Sequence, residues 1–400
     1  MASGTSSDLR GASRLIVDAV LGVTDIVESM HRNISGLAPI VGASRRGGTK
    51  GITGLVYGSV RGVSRGVGLG LDAALTLLAP LLKSRGTSAR REAVLAALNG
   101  VLGDHLVASN NPLAISMSLR KSGRPLTLDR RALGEDFPCP STKLVVFVHG
   151  LCLSDLQWHR RGHDHGALLG RDLDYTPLYL RYNSGRHIST NGRELADLLE
   201  QLAREWPVPV HELVVIGHSM GGLVARSACH YARIDRHTWP RHLRKIVFLG
   251  TPHHGAPLER AGNWVNILVG ISPYTAPFAR LGKVRSAGVK DLRYGNIVDA
   301  DWQAIGTEQA HDPRQPVPLP ASVKCFAIAA TRQLQSGRPH TRLRGDGLVP
   351  VKSALGEHVN AALALSIPAS HQSICYGLNH FDLLSSGEVY DRIHHWLSDG

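Results

Sequence analysis

Gly217-His218-Ser219-Met220-Gly221 sets a serine at the centre of a G-x-S-x-G pentapeptide. An apolar run, Leu213-Val214-Val215-Ile216, leads into it, and a helix-compatible stretch, Gly222-Leu223-Val224-Ala225-Arg226, leads out. Strand, sharp turn and helix hold such a serine in a crowded backbone conformation, with its hydroxyl above the strand end, as in a nucleophile elbow. Gly217 and Gly221 have no Cβ, so neighbouring chain can pass close to the turn. The chemistry this suits is nucleophilic attack of the serine oxygen on a carbonyl carbon. It needs a base for the hydroxyl proton, an acid that orients the base, and N–H donors for the oxyanion that forms.

An acid is offered by Asp346, in Gly345-Asp346-Gly347-Leu348-Val349-Pro350. Glycine on both sides of an aspartate is also plain turn chemistry. Its place favours the acid, because the strand-like run Val323-Lys324-Cys325-Phe326-Ala327-Ile328-Ala329 precedes it. Asp299, Asp301 and Asp312 are rivals that stand before that run. A base is offered by His380, ahead of a C-terminal helical pattern with Val389, Ile393, Trp396 and Leu397 apolar. A loop histidine there suits a group that carries a proton between serine and leaving group. The chain holds 21 histidines, and His358 and His371 are rivals. Upstream, Lys143-Leu144-Val145-Val146-Phe147-Val148 reads as a strand buried on both faces. It ends in His149-Gly150-Leu151. The loop after such a strand supplies one oxyanion N–H and the residue after the serine the other, which points to Leu151 and Met220. Gly150 lets the backbone approach the substrate, and His149 is expected to hold the loop.

The segments Gly217 to Gly222, Gly250-Thr251-Pro252-His253-His254-Gly255, His149-Gly150-Leu151, Asp346 to Pro350 and His380 together resemble the α/β-hydrolase superfamily, in its lipase and esterase branch. The likeness is to bacterial triacylglycerol lipases and to lipases that deacylate membrane-anchored glycolipids. It runs from about residue 112 to the C-terminus. It implies a triad of Ser219, Asp346 and His380, oxyanion donors at Leu151 and Met220, an ester or lipid substrate, and chemistry with no cofactor and no metal. An acyltransferase using the same triad is one alternative. A non-catalytic, membrane-associated scaffold is the other.

The remaining pattern supplies the frame. Ala114 to Leu119 and Pro125 to Leu128, separated by Ser122-Gly123, read as an opening hairpin. Asp174 to Tyr182 and Arg244 to Leu249 read as further strands. Asn191 is placed to cap a helix carrying Leu195, Leu198, Leu199 and Leu202. Strands alternating with helices predict an α/β fold, a mostly parallel sheet with helices on both faces. Residues 255–320 carry Trp264, Ile267, Leu268, Tyr274 and Phe278, which fits a helical cap insertion over the site.

Four hundred residues exceed one compact core, so an extension is expected: residues 1–95, helical, glycine-rich and basic, ahead of a catalytic domain over 96–400. Leu9 to Met30 gives a broad apolar face, and Ala93 to Leu106 a helix leading into the domain. Gly54, Gly58, Gly62, Gly66 and Gly70 recur every four residues. Each costs a helix about 1 kcal/mol relative to alanine, so the segment must recover that by close packing. Arg61, Arg65 and Asp72 interrupt it and argue against a membrane span. The net charge of +13 is partly concentrated there, in Arg45, Arg46, Lys50, Arg61, Arg65, Lys83, Arg85, Arg90 and Arg91. No zinc-finger spacing or RNP-type aromatic motif accompanies it, which disfavours nucleic acid and favours peripheral contact with anionic membrane. Five cysteines without a C-x-x-C pair suggest buried, reduced thiols. With Asp8 early and no basic start before an apolar run, no secretory signal is expected, and a cytoplasmic setting is. His159, His163 and His165 lie close together, but their spacing fits no defensible metal site.

Overall fold

The computed structural model of the chain describes residues 89–256, 286–303, 312, 314–335 and 344–398. The helix expected over Leu9 to Met30, the Gly54 to Gly70 stripe and most of the cap segment, Trp264 and Phe278 included, lie outside the described residues. No described helix is long and apolar enough to cross a membrane.

Continuous apolar runs form the centre of the sheet. Strands β3 (Lys143–Val148), β4 (Thr176–Arg181), β5 (Glu212–His218), β6 (Leu243–Leu249), β7 (Lys324–Thr331) and β8 (Gln372–Tyr376) pair in parallel. An opening hairpin, β1 (Ser118–Lys121) and β2 (Arg124–Pro125), adds antiparallel to β4. Its turn is Ser122-Gly123, both with positive φ, as a two-residue hairpin loop demands. The order is β2-β1-β4-β3-β5-β6-β7-β8.

Alternation along the central strands feeds a core on each face of the sheet, and Ala327 and Ala329 of β7 feed a third, smaller cluster. Val146, Val148, Val215 and Phe248 turn to one face, beneath α1 (Ala89–Ala108), α4 (Ile188–Glu205) and α5 (Met220–Ile234). Val145, Phe147, Val214 and Val247 turn to the other, beneath α3 (His165–Leu173) and α9 (Gly387–Ser398). Short helices complete the shell: α2 (Arg130–Asp136), α6 (Ala287–Tyr294), α7 (Asp299–Gln303) and α8 (Val351–Ala354). This is the α/β-hydrolase fold.

Three sequence expectations are redrawn. The boundary at residue 95 falls inside α1, whose Val94, Leu95, Ala97 and Leu98 are buried in the domain core. Asn191 does not cap α4. The helix begins at Ile188, because the Asp291 carboxylate of α6 accepts the Ile188 N–H at 2.9 Å and so caps it from outside. Asn191 sits a turn inside and donates to the Asn183 carbonyl. Of the five thiols, all unpaired, Cys139 is exposed, while Cys152, Cys325 and Cys375 are buried.

Candidate active site

The chemistry-bearing residues come from the carboxyl ends of the parallel strands, where open α/β sheets hold their sites. His149-Gly150-Leu151 follows β3, Ser219 follows β5, Asp346 lies beyond β7 and His380 beyond β8.

Ser219 joins β5 to α5 with φ +54° and ψ −124°. A side chain in such a conformation costs on the order of 1–3 kcal/mol and persists only where its surroundings impose it. Here they do. The Ser219 N–H donates to the Leu249 carbonyl at 2.8 Å. A Cβ on Gly217 would lie 2.6 Å from Gly222 Cα, and one on Gly221 2.1 Å from the Val148 oxygen. The turn therefore closes only with glycine at both positions.

Asp346 Oδ2 and His380 Nδ1 are 2.6 Å apart, both side chains buried. The other oxygen, Oδ1, accepts the Leu348 and Val349 N–H groups at 2.9 and 2.8 Å. A carboxylate fixed in this way makes Nδ1 the donor, which leaves Nε2 of His380 as the acceptor. Ser219 and His380 line one cavity, with Gly150, Leu151, Leu153, Pro252, Ala256, Leu292, Leu348, Val349 and Phe381 making most of its wall apolar. No hydrogen bond joins Ser219 to His380 here; proton transfer needs them to close to hydrogen-bond reach around substrate.

Leu151 and Met220 are both buried at this cavity's edge of the sheet. Met220 is the first residue of α5, so its N–H has no acceptor within the helix. Among the described residues neither the Leu151 nor the Met220 N–H finds another acceptor. A Cβ on Gly150 would stand 3.0 Å from Ser219 Cβ, so the loop passes directly against the serine. His149 braces that loop. Its Nδ1 bonds the Gly150 carbonyl at 2.8 Å, its ring stacks on Tyr182, and the Tyr182 hydroxyl donates to the His149 carbonyl. Burial drives its pKa down to about 3, so the ring is neutral.

Sequence reasoning overlooked His218 as a positioning group. Its ring is buried, with its centroid 4.7 Å from that of His380, and its Nε2–H donates to the His380 carbonyl at 3.1 Å. Burial first, and the neighbouring His380 second, hold it well below the usual imidazole range. The only signal for this was its place beside the serine.

The rivals are spoken for. Asp299 pairs with Arg193. Asp301 accepts the Ile297, Val298 and Gln315 N–H groups. Asp312 holds Arg314. His371 stands at the start of β8, the end of the strand away from His380, and bonds the Cys325 carbonyl. His358 packs its ring against His254. His253 and His254 brace the loop after β6: the His253 N–H reaches the Ser353 carbonyl and His254 Nε2 the Gly356 carbonyl. His163 and His165 bond one another at 2.8 Å, and His165 anchors the Leu383 carbonyl. Among the described residues no cluster of three or more His, Cys, Asp or Glu could hold a metal ion.

No curated protein matches the chain in sequence. Among solved structures, the mature Bacillus licheniformis lipase BlEst2 is 18% identical over 70% of this chain and 97% of its own, with a TM-score of 0.41. The Aspergillus fumigatus lipase B is 12% identical over 68% of this chain and 58% of its own, with a TM-score of 0.40. A Pyrococcus furiosus esterase is 15% identical over 64% of this chain and 82% of its own, with a TM-score of 0.36. Within the α/β-hydrolase fold, residues 140–315 match the family model of the PGAP1-like alpha/beta domain.

Proposed function

We propose that the chain is a serine hydrolase of carboxylic esters, acting on lipid-like esters through an acyl-enzyme on Ser219. The observation that carries this is a buried, carboxylate-held histidine, His380 on Asp346 at 2.6 Å, lining one cavity with a serine at φ +54°. His380 Nε2 takes the hydroxyl proton as Ser219 Oγ attacks the carbonyl carbon, and Asp346 stabilises the imidazolium. The Leu151 and Met220 N–H groups receive the oxyanion. As the tetrahedral species collapses, the ester C–O bond breaks and His380 protonates the leaving alcohol. Water then attacks the acyl-serine with the same proton traffic and releases the acid. The apolar wall of the cavity favours an acyl chain over a polar one.

The test is covalent labelling with a serine-reactive fluorophosphonate together with hydrolysis of soluble short-chain esters. The full chain should take one label, on Ser219, and turn over ester. Ser219→Ala should keep the wild-type thermal midpoint and lose both activities. Unchanged hydrolysis by folded Ser219→Ala would remove the reading altogether.

A further inference from the structure

Helix α1 contributes no group to the proposed chemistry, yet it presses on the loop that carries Leu151. A Cβ at Gly100 would sit 2.2 Å from Sγ, 2.9 Å from Cα and 3.0 Å from N of Cys152. The α1 backbone therefore touches the loop's main chain one residue after Leu151. Cys152 is itself held at φ +58°, and its N–H is fixed on Ser184 Oγ at 3.0 Å. A non-glycine residue keeps that conformation only under constraint. The loop after β4 wedges into the same helix: Asn183 donates to the Gly103 carbonyl at 3.0 Å.

A second tie lies near the start of α1. Glu92 is buried and bonds Arg181 of β4 at 2.8 Å and Arg120 of β1 at 3.5 Å. Arg120 reaches the buried Asp155 at 3.3 Å, where the same loop enters its one-turn helix. The helix thus grips residues 149–155 at the middle and at the far end.

We infer that α1 is a positioning element of the active site: through Gly100 on Cys152, and through Glu92 and Arg120 on Asp155, it sets the place of the Leu151 N–H. This rests on the serine-hydrolase reading. Among the described residues no hydrogen bond or ion pair joins α1 to Ser219, His380 or Asp346, so a shift of the helix acts first on the oxyanion donor.

The full chain is compared with Gly100→Ala, Gly100→Ala/Cys152→Ala and Glu92→Gln. The readouts are kcat and KM on a soluble short-chain ester, the pH dependence of kcat, the fluorophosphonate labelling rate and the thermal midpoint. Complete loss of one oxyanion donor costs about 10²–10³ in turnover. A displaced donor in Gly100→Ala should therefore cost about 10–100-fold in kcat, measured well below that variant's own midpoint. KM should stay within about threefold, the pH profile should keep its wild-type shape, and labelling should slow in step with kcat. Cys152→Ala in the Gly100→Ala background removes the atom nearest the new methyl group and should return part of the lost kcat. Glu92→Gln keeps the shape of the cluster and loosens the far end, and should lower kcat about three- to tenfold with KM unchanged. Wild-type kcat in folded Gly100→Ala overturns the inference. Where Gly100→Ala does not fold, wild-type kcat in folded Glu92→Gln overturns it. A wild-type chain that takes no label and hydrolyses no ester instead sinks the serine-hydrolase reading.

Discussion

At Asp346 a single carboxylate does two separate jobs, and a substitution can divide them. Oδ1 closes its own loop on Leu348 and Val349, while Oδ2 holds His380. Asp346→Asn keeps an oxygen for the loop and offers an N–H to His380 Nδ1. The ring then carries its proton on Nε2 and has no lone pair for the serine. We expect turnover to fall by about 10⁴, the loss seen when such a triad acid becomes its amide, with a nearly unchanged thermal midpoint. Asp299→Asn, whose side chain meets Arg193, Ser189 and Tyr231 and none of the triad, should keep wild-type turnover. Near-full activity in Asp346→Asn would move the acid elsewhere. Ser219 and Asp346 are legible in sequence because each follows a strand-like run, and His380 because it stands ahead of the last helical pattern; the strand that delivers His380, Gln372–Tyr376, is too short and polar to read. His218 is not legible in this way. Its partner is the carbonyl of a residue 162 positions on, and no local pattern reports a contact made by tertiary packing.

At the level of elements, glycine has opposite meanings in two helices. Gly222 in α5 packs on β6's end: a Cβ there would lie 2.0 Å from Thr251 Oγ1 and 2.8 Å from Thr251 Cβ. Gly134 in α2 has nothing within 4 Å of the same atom. Alanine is the better helix former by about 1 kcal/mol at either position. Gly134→Ala should therefore raise the thermal midpoint. Gly222→Ala should lower it, because overpacking of about 1–3 kcal/mol outweighs the propensity gain. Calorimetry on the two variants checks this, and a rise in both would mean that Thr251 yields freely. The central strands are legible to within two residues because burial on both faces writes them as unbroken apolar runs, as in Lys143–Val148. The start of α4 is hidden for the converse reason. Its cap is a carboxylate from α6, 103 residues away, and Asn191 offers a local cap that the fold does not use. Likewise nothing near residue 95 reveals that the helix there is part of the core, since that follows from what β1, β4 and the loop after β3 present to it.

For the whole molecule, buried imidazoles tie stability to pH. Burial lowers His149 to about 3 and His165 to about 4, and holds His218 and His253 well below their usual range. An unfolded chain protonates these rings near pH 6.5, so below that pH it binds more protons than the folded one. Stability should be fully present above about pH 6.5 and fall steadily from there toward pH 4, with a slope of more than one proton; urea titrations at stepped pH measure it, and a flat profile would refute it. The last prediction concerns where the catalytic body begins. A chain starting at residue 89 keeps α1 entire. One starting at residue 96 loses Glu92, Val94 and Leu95, all buried. It leaves Arg120 and Arg181 facing the single carboxylate of Asp155, and breaking a buried pair by removing one partner costs about 3–5 kcal/mol. We expect the 89–400 protein to melt cooperatively and to hydrolyse a soluble short ester within about threefold of the full chain. The 96–400 protein should melt far lower or aggregate, and lose turnover. The expectation from sequence is that the basic residues before 89, Arg45, Arg46, Lys50, Arg61, Arg65, Lys83 and Arg85, meet anionic lipid. Each is worth about 1 kcal/mol near such a surface. The full chain should then sediment with phosphatidylserine vesicles at low salt and release as salt rises, because exposed charges are screened over about 10 Å at 0.1 M. The 89–400 protein should not sediment. If it aggregates and is inactive while the full chain ignores vesicles, residues 1–88 cover an apolar face of the catalytic body instead.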